Sequence, residues 1–447
     1  MSLREDARRI LDAAVAAADA REAVRRALAL DGDALTVAGR ERIDLSRVEH
    51  VWIVAAGKAA ARMARGAVEV LGERVVGGTV TTKDRHGEPV PPLELWEAAH
   101  PVPDARGLAG AADALRTARA AGERDLLLCL LSGGASALWP APPPGVSLGD
   151  LRVLTERLLR AGATIRELNT VRKHLSRIGG GWLARAALPA RVVTLAVSDV
   201  VGSPLDVIAS GPTVPDPTTF ADALEVLLRY EVTAPAAAVR WLQAGAAGEA
   251  PETPGPGELD ESRLSAHVIA GNRDALEGAA AEAERLGCRA EIVADDLEGE
   301  AREVAHGIAW LGLARQAELA PGDPPLALLL GGETTVTVRG QGRGGRNQEL
   351  ALALAVELEG HAGVVAAALG TDGTDGPTDA AGGIVDGETV ARADAAGVVA
   401  AEALQDNDAH RFLRAAGDLL VTGPTGTNVN DVVLVLAAPR ADAASGK

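Results

Sequence analysis

A lysine follows the first long apolar stretch of the chain, at the start of a predicted helix. Lys58 comes after VWIVAAG (51–57), in which Gly57 and its small neighbours permit a tight strand-to-helix turn. A positive charge there opposes the helix dipole, which costs roughly 0.3 kcal/mol. Only four of the 44 basic residues are lysines. Because Arg is the usual cation of this chain, Lys58 indicates a compact point charge for an anionic ligand. The alternative is an ordinary surface lysine.

The residues around Lys58 do not form a P-loop. That motif requires a glycine five residues before the Gly-Lys pair and a Ser or Thr directly after it. Trp52 and Ala59 occupy those two positions. The P-loop class of nucleotide-binding sites is therefore excluded for this turn.

Small polar residues follow the apolar stretch DLLLCLL (125–131). Ser132, Gly133, Gly134 and Ser136 form a turn rich in donors, at the start of a predicted helix. Backbone N–H groups in such a turn can hold an anion. The anion could be a phosphate or a carboxylate, and the alternative is a plain structural turn.

Basic residues and a carboxylate come next in the first half. Asn169, Lys173 and Arg177 are spaced i, i+4, so a helix places them on one face. A basic helix face binds anions or is simply solvated. Asp199 stands at the carboxyl end of another apolar strand, where it can bind a metal, act as a base or cap a turn.

The richest polar segment lies in the second half, LALLLGGETTVTVRGQGRGGRNQE (326–349). Glu333 follows two glycines, and the glycine-rich stretch before Asn347 carries Arg343 and Arg346. A formal GxGxxG is present at 340–345, but it follows a polar strand late in the chain, which is unusual for a dinucleotide site. We expect a flexible, arginine-bearing phosphate clamp instead.

Aspartates and amides on later loops suggest a metal and its ligand. Asp372, Asp375 and Asp379 lie on GTDGTDGPTDAAGG after a predicted buried strand. Mg²⁺ takes one or two carboxylates beside phosphate oxygens, so Asp372 and Asp375 are candidate ligands. The alternative is a polar turn-rich loop. Asn430, in TGPTGTNVNDV, adds an amide donor.

The composition limits the partners of the chain. The formal net charge is −18, which disfavours nucleic acid and anionic membrane. So acidic a protein must gather cations locally, or bind a metal, in order to hold a phosphate. The amino terminus has no signal-peptide core and no apolar run spans a bilayer, so we expect a cytoplasmic protein. Cys129 and Cys288 have no metal-ligand spacing, which predicts reduced packing residues.

Apolar strands alternate with helices through most of the chain, which predicts an α/β fold with mainly parallel or mixed sheets flanked by helices. Residues 1–30 are predicted helical. The predicted strands are 51–56, 75–80, 125–131, 192–198, 267–270, 290–294, 326–330, 334–338, 364–369, 419–421 and 432–436. A Gly-, Pro- and acid-rich stretch indicates a linker. The predicted domains are a Rossmann-like α/β domain at 1–245, the linker at 246–261 and a second α/β domain at 262–447.

The motifs together resemble the class II glycerate kinases, whose carboxyl-terminal part is called the MOFRL domain. The motifs occur in the order found in that family and cover most of the chain. Each motif alone is weak evidence, but their combination is specific to the family. One departure is Ala135, where a third glycine is expected. The matching segments are AAGKAA (55–60), HPVPD (100–104), SGGASAL (132–138), NTVRKHLS (169–176), SDVVGSPLDVIASGPTVPD (198–216), GGETTV (331–336), GRGGRNQE (342–349), GTDGTDGPTDAAG (370–382) and TGPTGTNVND (422–431).

The resemblance implies an ATP-dependent glycerate 2-kinase that needs a divalent metal, Mg²⁺, with its active site in the cleft between the domains. D-Glycerate would be the acceptor and 2-phosphoglycerate, rather than 3-phosphoglycerate, the product. The family's catalytic lysine and arginine map to Lys58 and Arg346. Residues expected to bind substrate or nucleotide are Gly57, Ser132, Gly133, Gly134, Ser136, Lys173, Glu333, Arg343, Asn347 and Asn430.

The remaining roles are hypotheses from charge. Arg343 would assist Lys58 and Arg346 in offsetting the repulsion between two anionic substrates. Asp199 would act as a base or orient the hydroxyl, and Asp372 or Asp375 would help hold Mg²⁺.

Two other functions stay open at this point. One is an NAD(P)H-dependent hydroxypyruvate reductase, which would use the GxGxxG-like stretch. The other is a non-catalytic nucleotide-binding protein. The sequence leaves open whether the chain forms a homo-oligomer.

Overall fold

The computed structural model describes residues 2–200 and 202–440. The chain divides into two compact units. Residues 20–269 form one, here called the continuous unit. Residues 1–19 and 270–447 form the other, the discontinuous unit, because it is built from both ends of the chain. Both units are α/β, as predicted.

The boundaries differ from the predicted domains at both ends. The first helix, Leu3–Ala17, packs against the helix Asn272–Arg285, so it belongs to the discontinuous unit. Its apolar face is fully buried there, with Ile10 and Leu11 at 0–1% exposure. Local composition could not reveal this, because the partner helix lies more than 250 residues away in sequence.

The predicted linker is also part of a unit. Residues 246–261 lie within the continuous unit and pack onto it. The Asp216 N–H donates to the carbonyl of Pro254 at 2.8 Å, and Thr253 is buried against His174. Proline and glycine in this stretch therefore shape a packed loop.

The continuous unit has a six-stranded sheet with strand order β6-β5-β4-β7-β8-β9, flanked by helices. The pairs β5/β6, β4/β5, β4/β7 and β7/β8 are parallel. A separate antiparallel sheet, β1-β2-β3, precedes it. The elements are α2 (Ala20–Ala27), β1 (Leu28–Asp31), β2 (Ala34–Val37), β3 (Glu41–Asp44), β4 (Val51–Ala56), α3 (Ala60–Leu71), β5 (Val75–Lys83), β6 (Glu94–Ala98), α4 (Ala105–Ala120), β7 (Leu126–Leu131), α5 (Ala135–Leu138), α6 (Leu148–Arg160), α7 (Ile165–His174), α8 (Trp182–Ala187), β8 (Arg191–Val197), α9 (Phe220–Arg229), α10 (Ala236–Ala246) and β9 (Leu264–Ala270).

The discontinuous unit has a mixed sheet with strand order β10-β11-β15-β12-β13-β14. The pair β10/β11 is parallel and the other pairs are antiparallel. The elements are α1 (Leu3–Ala17), α11 (Asn272–Arg285), β10 (Arg289–Leu297), α12 (Ala301–Ala317), β11 (Leu326–Gly332), α13 (Arg346–Glu357), β12 (Val364–Gly370), β13 (Gly382–Asp386), α14 (Thr389–Ala395), α15 (Ala400–Gln405), α16 (Ala409–Ala416), β14 (Leu419–Leu420) and β15 (Asp431–Ala437).

Small aliphatic residues build both cores, because aromatic residues make up only 2% of the chain. Every residue of β7 (LLLCLL) and of β15 (DVVLVLA) is buried. Strands covered on both faces read as continuous apolar runs, which is why the central strands were predictable. Cys129 and Cys288 are free and buried, in agreement with the prediction.

One predicted strand is wrong, and some elements were not predicted. Residues 334–338 form only a single bridge, between Thr335 and Glu300. The predicted first helix ends early, because Leu28 begins β1. The short strands β6, at the edge of its sheet, and β13, between β12 and β14, were missed, since their burial depends on neighbours elsewhere in the chain. No helix in the described ranges combines the length and the apolarity that crossing a membrane needs.

Arg4 should anchor α1 to its unit. Its guanidinium pairs with Asp386 and with Asp418, whose side chain is 2% exposed, and donates to the Ile384 carbonyl at 2.9 Å. We expect Arg4→Ala to lower the free energy of unfolding by about 2 kcal/mol, measured by urea denaturation. Arg8→Ala, which removes an exposed i, i+4 pair with Asp12, should lower it by less than about 0.5 kcal/mol. Equal effects would contradict this anchoring role.

Candidate functional site

Polar residues of the continuous unit collect at the carboxyl edge of its parallel sheet. Strands β4 and β7 are adjacent and parallel, so the residues that follow them, Gly57–Lys58 and Ser132–Ser136, become neighbours. We call these residues the lysine cluster. The Lys58 N–H donates to the Gly133 carbonyl at 2.9 Å. The Ala59 N–H donates to the Ser132 hydroxyl at 3.0 Å, which ties the two turns together.

Gly57 is required by this contact. Its φ is +128°, a conformation that other residues rarely adopt, and a Cβ there would overlap the Ser132 hydroxyl and carbonyl. Ser132 itself is fully buried and its hydroxyl points to the α3 side. Lys58 and the serine–glycine turn, which were separate candidates in the sequence, are therefore neighbours, and the Ser132 hydroxyl bonds the backbone of the lysine turn.

His100 lies beside Lys58 and was not among the predicted site residues. A Cβ on Gly134 would lie 2.9 Å from His100 Nε2 and 3.5 Å from Lys58 Cγ, so the glycine leaves room for both side chains. His100 follows β6, at the same edge of the sheet. The HPVPD segment was a sequence signal for it, but β6 was not predicted, so nothing in the sequence placed it here.

A serine pair extends the lysine cluster. The Ser136 and Ser210 hydroxyls are 3.0 Å apart, and Ser210 donates to Asn169 Oδ1 at 3.3 Å. Ala209 and Ser210 both have positive φ, +55° and +60°. Consecutive non-glycine residues in this conformation store strain, which is typical of functional loops. Ser210 is a second residue that sequence reasoning missed.

Lys173 does not face solvent. It is 2% exposed, and its ammonium lies 3.3 Å from Asp216 and 3.4 Å from Asp206. Asp216 has a buried Oδ2 without a hydrogen-bond partner in the described chain. The predicted basic face of this helix is thus buried at Lys173, whose ammonium pairs with two carboxylates.

Asp199 lies where the sequence placed it, two residues beyond the end of β8, and it is half-buried. Strand β8 is the parallel neighbour of β7. Asp199 therefore belongs to the same sheet edge as the lysine cluster.

Arg346 is the centre of a second group, in the discontinuous unit. Its guanidinium binds Asp431 through Nε at 2.6 Å and Nη2 at 3.0 Å, and binds Glu333 through Nη1 at 2.6 Å. Burial opposes the charge of Arg346, but Asp431 and Glu333 raise its pKa above the ordinary value. We call Glu333, Arg346, Asp375 and Asp431 the arginine cluster.

The sheet register assembles the arginine cluster. Because β15 is antiparallel to both β11 and β12, Asp431 at its start pairs with Gly332 and with Gly370 at their ends. Glu333 and Thr371 come directly after those two residues. Residues 333, 371–372 and 430–431 thus meet at one edge.

Asp375, a predicted metal ligand, has another role in these contacts. Its Oδ1 accepts from the Asn347 N–H at 3.1 Å, and its Oδ2 accepts from the Gln348 N–H at 2.9 Å. It therefore caps α13. Burial raises the pKa of Asp375 to about 6, helped by Asp431 and opposed by these hydrogen bonds. Asn347 is buried and touches Asp375 too.

Three other predicted loop residues are placed as follows. Asp372 is 6% exposed, and its Oδ1 accepts from the Thr374 N–H at 2.9 Å. Asn430 has φ +66°, and its carbonyl accepts from the Thr371 hydroxyl at 2.6 Å. Asp379 is 74% exposed. Asp372 and Asn430 are therefore buried where β12 ends and β15 begins, whereas Asp379 is exposed to solvent.

The glycine-rich segment 339–345, here called the arginine loop, is hydrogen-bonded to another segment of its unit. The N–H groups of Gly342 and Arg343 donate to Asp406 O at 2.8 Å and Asp408 Oδ1 at 3.0 Å. Arg343 Nη2 also donates to the Pro377 carbonyl at 2.8 Å. The expected flexible clamp is thus a loop fixed to the residues before α16, and no strand directly precedes its GxGxxG.

Comparison with known proteins supports the family assignment. A family model described as "Domain of unknown function (DUF4147)" matches residues 6–243, and the MOFRL family model matches residues 326–431. The D-glycerate 2-kinase of Thermotoga maritima is 45% identical over 89% of this chain and 93% of its own length. The chain belongs to the class II glycerate kinase family.

Other relatives cover nearly the whole chain. The glycerate 2-kinase of Pyrococcus horikoshii is 40% identical over 98% of both proteins. A protein of Agrobacterium vitis, provisionally named a hydroxypyruvate reductase, is 43% identical over 98% of this chain and 95% of its own. The crystal structure of the Thermotoga maritima glycerate kinase superposes with a TM-score of 0.83, at 42% identity, over 98% of this chain and 99% of that one.

Glu167 should stabilise α7, which carries Asn169 and Lys173. It accepts from the Thr164 N–H at 2.9 Å and hydroxyl at 2.8 Å, and from the Tyr230 hydroxyl at 2.8 Å. These bonds, with the Arg229 pair, lower the pKa of Glu167 to about 2. The stability it contributes is therefore present above its ordinary pKa and is lost as the pH falls through about 2.

We expect Glu167→Gln to lower the free energy of unfolding by about 1 kcal/mol at pH 7, and by progressively less below pH 4.5. Urea denaturation of both proteins across this range checks it. Glu225→Gln is the matched control, because Glu225 also pairs with Arg229 but is 69% exposed. A difference that stays constant with pH would contradict the assignment.

Proposed function

We propose that this protein is a glycerate kinase, which transfers the γ-phosphoryl group of ATP to the 2-hydroxyl of D-glycerate. Its products are ADP and 2-phosphoglycerate rather than 3-phosphoglycerate. The observation that carries the proposal is Arg346, a guanidinium oriented by Asp431 and Glu333 in the first turn of α13. The names of the relatives point to the same reaction.

Arg346 suits phosphate recognition because only part of its donor capacity is used. A guanidinium has five N–H groups in a planar fork. Asp431 takes Nε–H and one on Nη2, and Glu333 takes one on Nη1. The two N–H groups that take no part in these contacts can donate to phosphate oxygens.

Lys58 supplies the point charge of the continuous unit. It stands where the backbone of two turns is fixed, and the residue is half-buried, which suits a charge that must meet a ligand. Ser136, with Ser210 and Asn169, offers hydroxyl and amide groups to an anionic ligand, either a phosphate or the glycerate carboxylate. Gly134 leaves room for the His100 and Lys58 side chains, and the Gly133 carbonyl accepts from the Lys58 N–H.

The edge of the sheet where residues 333 and 372 meet carries carboxylates that suit Mg²⁺. The carboxylates of Asp372 and Glu333 offer the oxygen ligands that this ion prefers, and they would hold it. Bound there, the ion neutralises phosphate charge. Asp375 is proposed to serve as the α13 cap, since both of its oxygens accept hydrogen bonds from that helix.

We assign proton transfer and the orientation of the glycerate hydroxyl to residues beside the lysine cluster. Asp199 follows β8 and can orient the substrate hydroxyl or accept its proton. His100 adds a second polar group next to Lys58. Lys58 and Arg346, with Arg343 nearby in the chain, balance the charge that two anionic substrates bring to so acidic a protein. The expected cytoplasmic location is part of this proposal.

The reductase alternative has one observation in its favour, the name of the Agrobacterium vitis relative. A dinucleotide site of the GxGxxG type requires a strand directly before the motif. The arginine loop has no such strand and is bonded to residues 406 and 408. Oxidation of NADH with hydroxypyruvate, in the absence of ATP, would support the reductase.

The reaction itself is tested by incubating the protein with D-glycerate and MgATP and recording ³¹P NMR spectra. We expect a new phosphomonoester signal that matches authentic 2-phosphoglycerate. A 3-phosphoglycerate signal would correct the position of transfer. No transfer by folded protein that binds MgATP would contradict the proposed function and favour a nucleotide-binding role.

Lys58→Met should fold normally and lose about 10²–10³ in kcat, because one preorganised charge is removed from the transferring group. Coupled ADP-release kinetics measure this. Lys58→Arg, which keeps the charge but changes its shape, should recover part of the loss. Arg65→Met is the control on α3, the helix that follows Lys58; Arg65 pairs with Glu88, and this variant should keep kcat. Near wild-type turnover of Lys58→Met would remove Lys58 from the mechanism.

A further inference from the structure

The first turn of α13 carries Arg346, and a chain of buried hydrogen bonds holds that turn. Gln348, which is 0% exposed, lies one turn from Gly345 and contacts Asp375 with its side chain. Its Nε2 is 3.0 Å from the carbonyl oxygen of Asp375 and 3.0 Å from Oδ2 of the same residue. Asp375 in turn accepts from the N–H groups of residues 347 and 348.

The orientation of the Gln348 amide follows from its partners. A backbone carbonyl oxygen can only accept, so the amide must turn its NH₂ group toward Asp375. Its oxygen, Oε1, then faces His410, whose Nδ1 is 2.8 Å away. His410 Nδ1 must therefore carry a proton and donate it.

The other nitrogen of His410 is equally constrained. Its Nε2 lies 2.6 Å from Arg414 Nη2, which can only donate, so Nε2 accepts. This selects one neutral tautomer. His410 is 5% exposed, and burial, followed by Arg414, lowers its pKa, which agrees with the neutral form. Asp379 lies 3.7 Å from Nε2 and is exposed.

The same residue also holds the arginine loop. The His410 N–H donates to the Arg343 carbonyl at 2.9 Å, two residues before Gly345. The backbone of α16 and the His410 side chain thus hold the segment before Arg346 and the segment after it.

We propose that His410, through Gln348 and Asp375, is a positioning residue for Arg346 in phosphoryl transfer. It does not touch substrate. It fixes the direction of the Gln348 amide, which fixes the Asp375 carboxylate that caps α13, and so fixes the backbone from which Arg346 extends. This inference rests on the proposed kinase function and deepens it.

The test compares His410→Leu with His410→Asn in steady-state kinetics with D-glycerate and MgATP. Asn carries its amide near the Nδ1 position, so it can still donate to Gln348, whereas Leu cannot. We expect Leu to lower kcat about 10–100-fold, with both KM values within about twofold, because a displaced catalytic group weakens the transition state more than binding. Asn should retain kcat within about threefold.

Two further variants separate positioning from general loss of stability. Thr389→Val is the control, because Thr389 is 0% exposed and its hydroxyl donates to Asp418, outside the chain of hydrogen bonds from His410 to Asp375. It should lower the melting temperature while kcat stays within about twofold. His410→Gln is used if His410→Leu does not fold, because its longer side chain puts the amide near the Nε2 position and should lose kcat as Leu does.

The outcomes are distinct. Inactive wild-type protein would contradict the proposed function itself. Active wild-type protein, with a His410→Leu variant (or His410→Gln, if Leu does not fold) whose kcat matches the Thr389→Val control, would overturn the positioning role. Failure of His410→Asn to recover kcat while it folds as the wild type does would overturn it too.

Discussion

The repulsion between negative charges is the constraint on which this structure depends. The chain has a formal net charge of −18, yet the proposed reaction brings a nucleotide triphosphate and a carboxylate together on it. Arg346 is held in place for this role by Asp431, at Nε and Nη2, and by Glu333, at Nη1. The two carboxylates orient the guanidinium, but together they outweigh its positive charge. Binding an anionic substrate there therefore needs further positive charge nearby. A divalent metal and Lys58 are the proposed sources.

Strand register decides which residues can act together in each unit. In the continuous unit, parallel neighbours place the residues after β4, β6, β7 and β8 at one edge of the sheet, although β4 ends at residue 56 and β8 at residue 197. In the discontinuous unit, the antiparallel strand β15 begins where β11 and β12 end, which brings the residues at these three strand ends together. Two different sheet types thus produce a compact polar edge from distant segments.

The polar residues around Arg346 are positioned by the donor and acceptor roles in their hydrogen bonds as well as by charge. Asp375 accepts from α13, Gln348 donates to Asp375, and His410 donates to Gln348. Each group has one arrangement that satisfies its neighbours, so the first turn of α13 has little freedom. The glycine-rich sequence before it suggested flexibility, but glycine here permits close approach of the loop to residues 406–410.

The sequence by itself determined the α/β class and the buried central strands, which follow from local apolar runs. The choice of Lys58 and Arg346 came from the family resemblance, and their roles are proposals. Only the tertiary structure decided that α1 belongs with the second half of the chain, that Lys173 pairs inward with Asp206 and Asp216, and that Asp375 caps a helix. Each of these outcomes depends on a partner distant in sequence, and local patterns do not contain the direction in which a polar side chain will point.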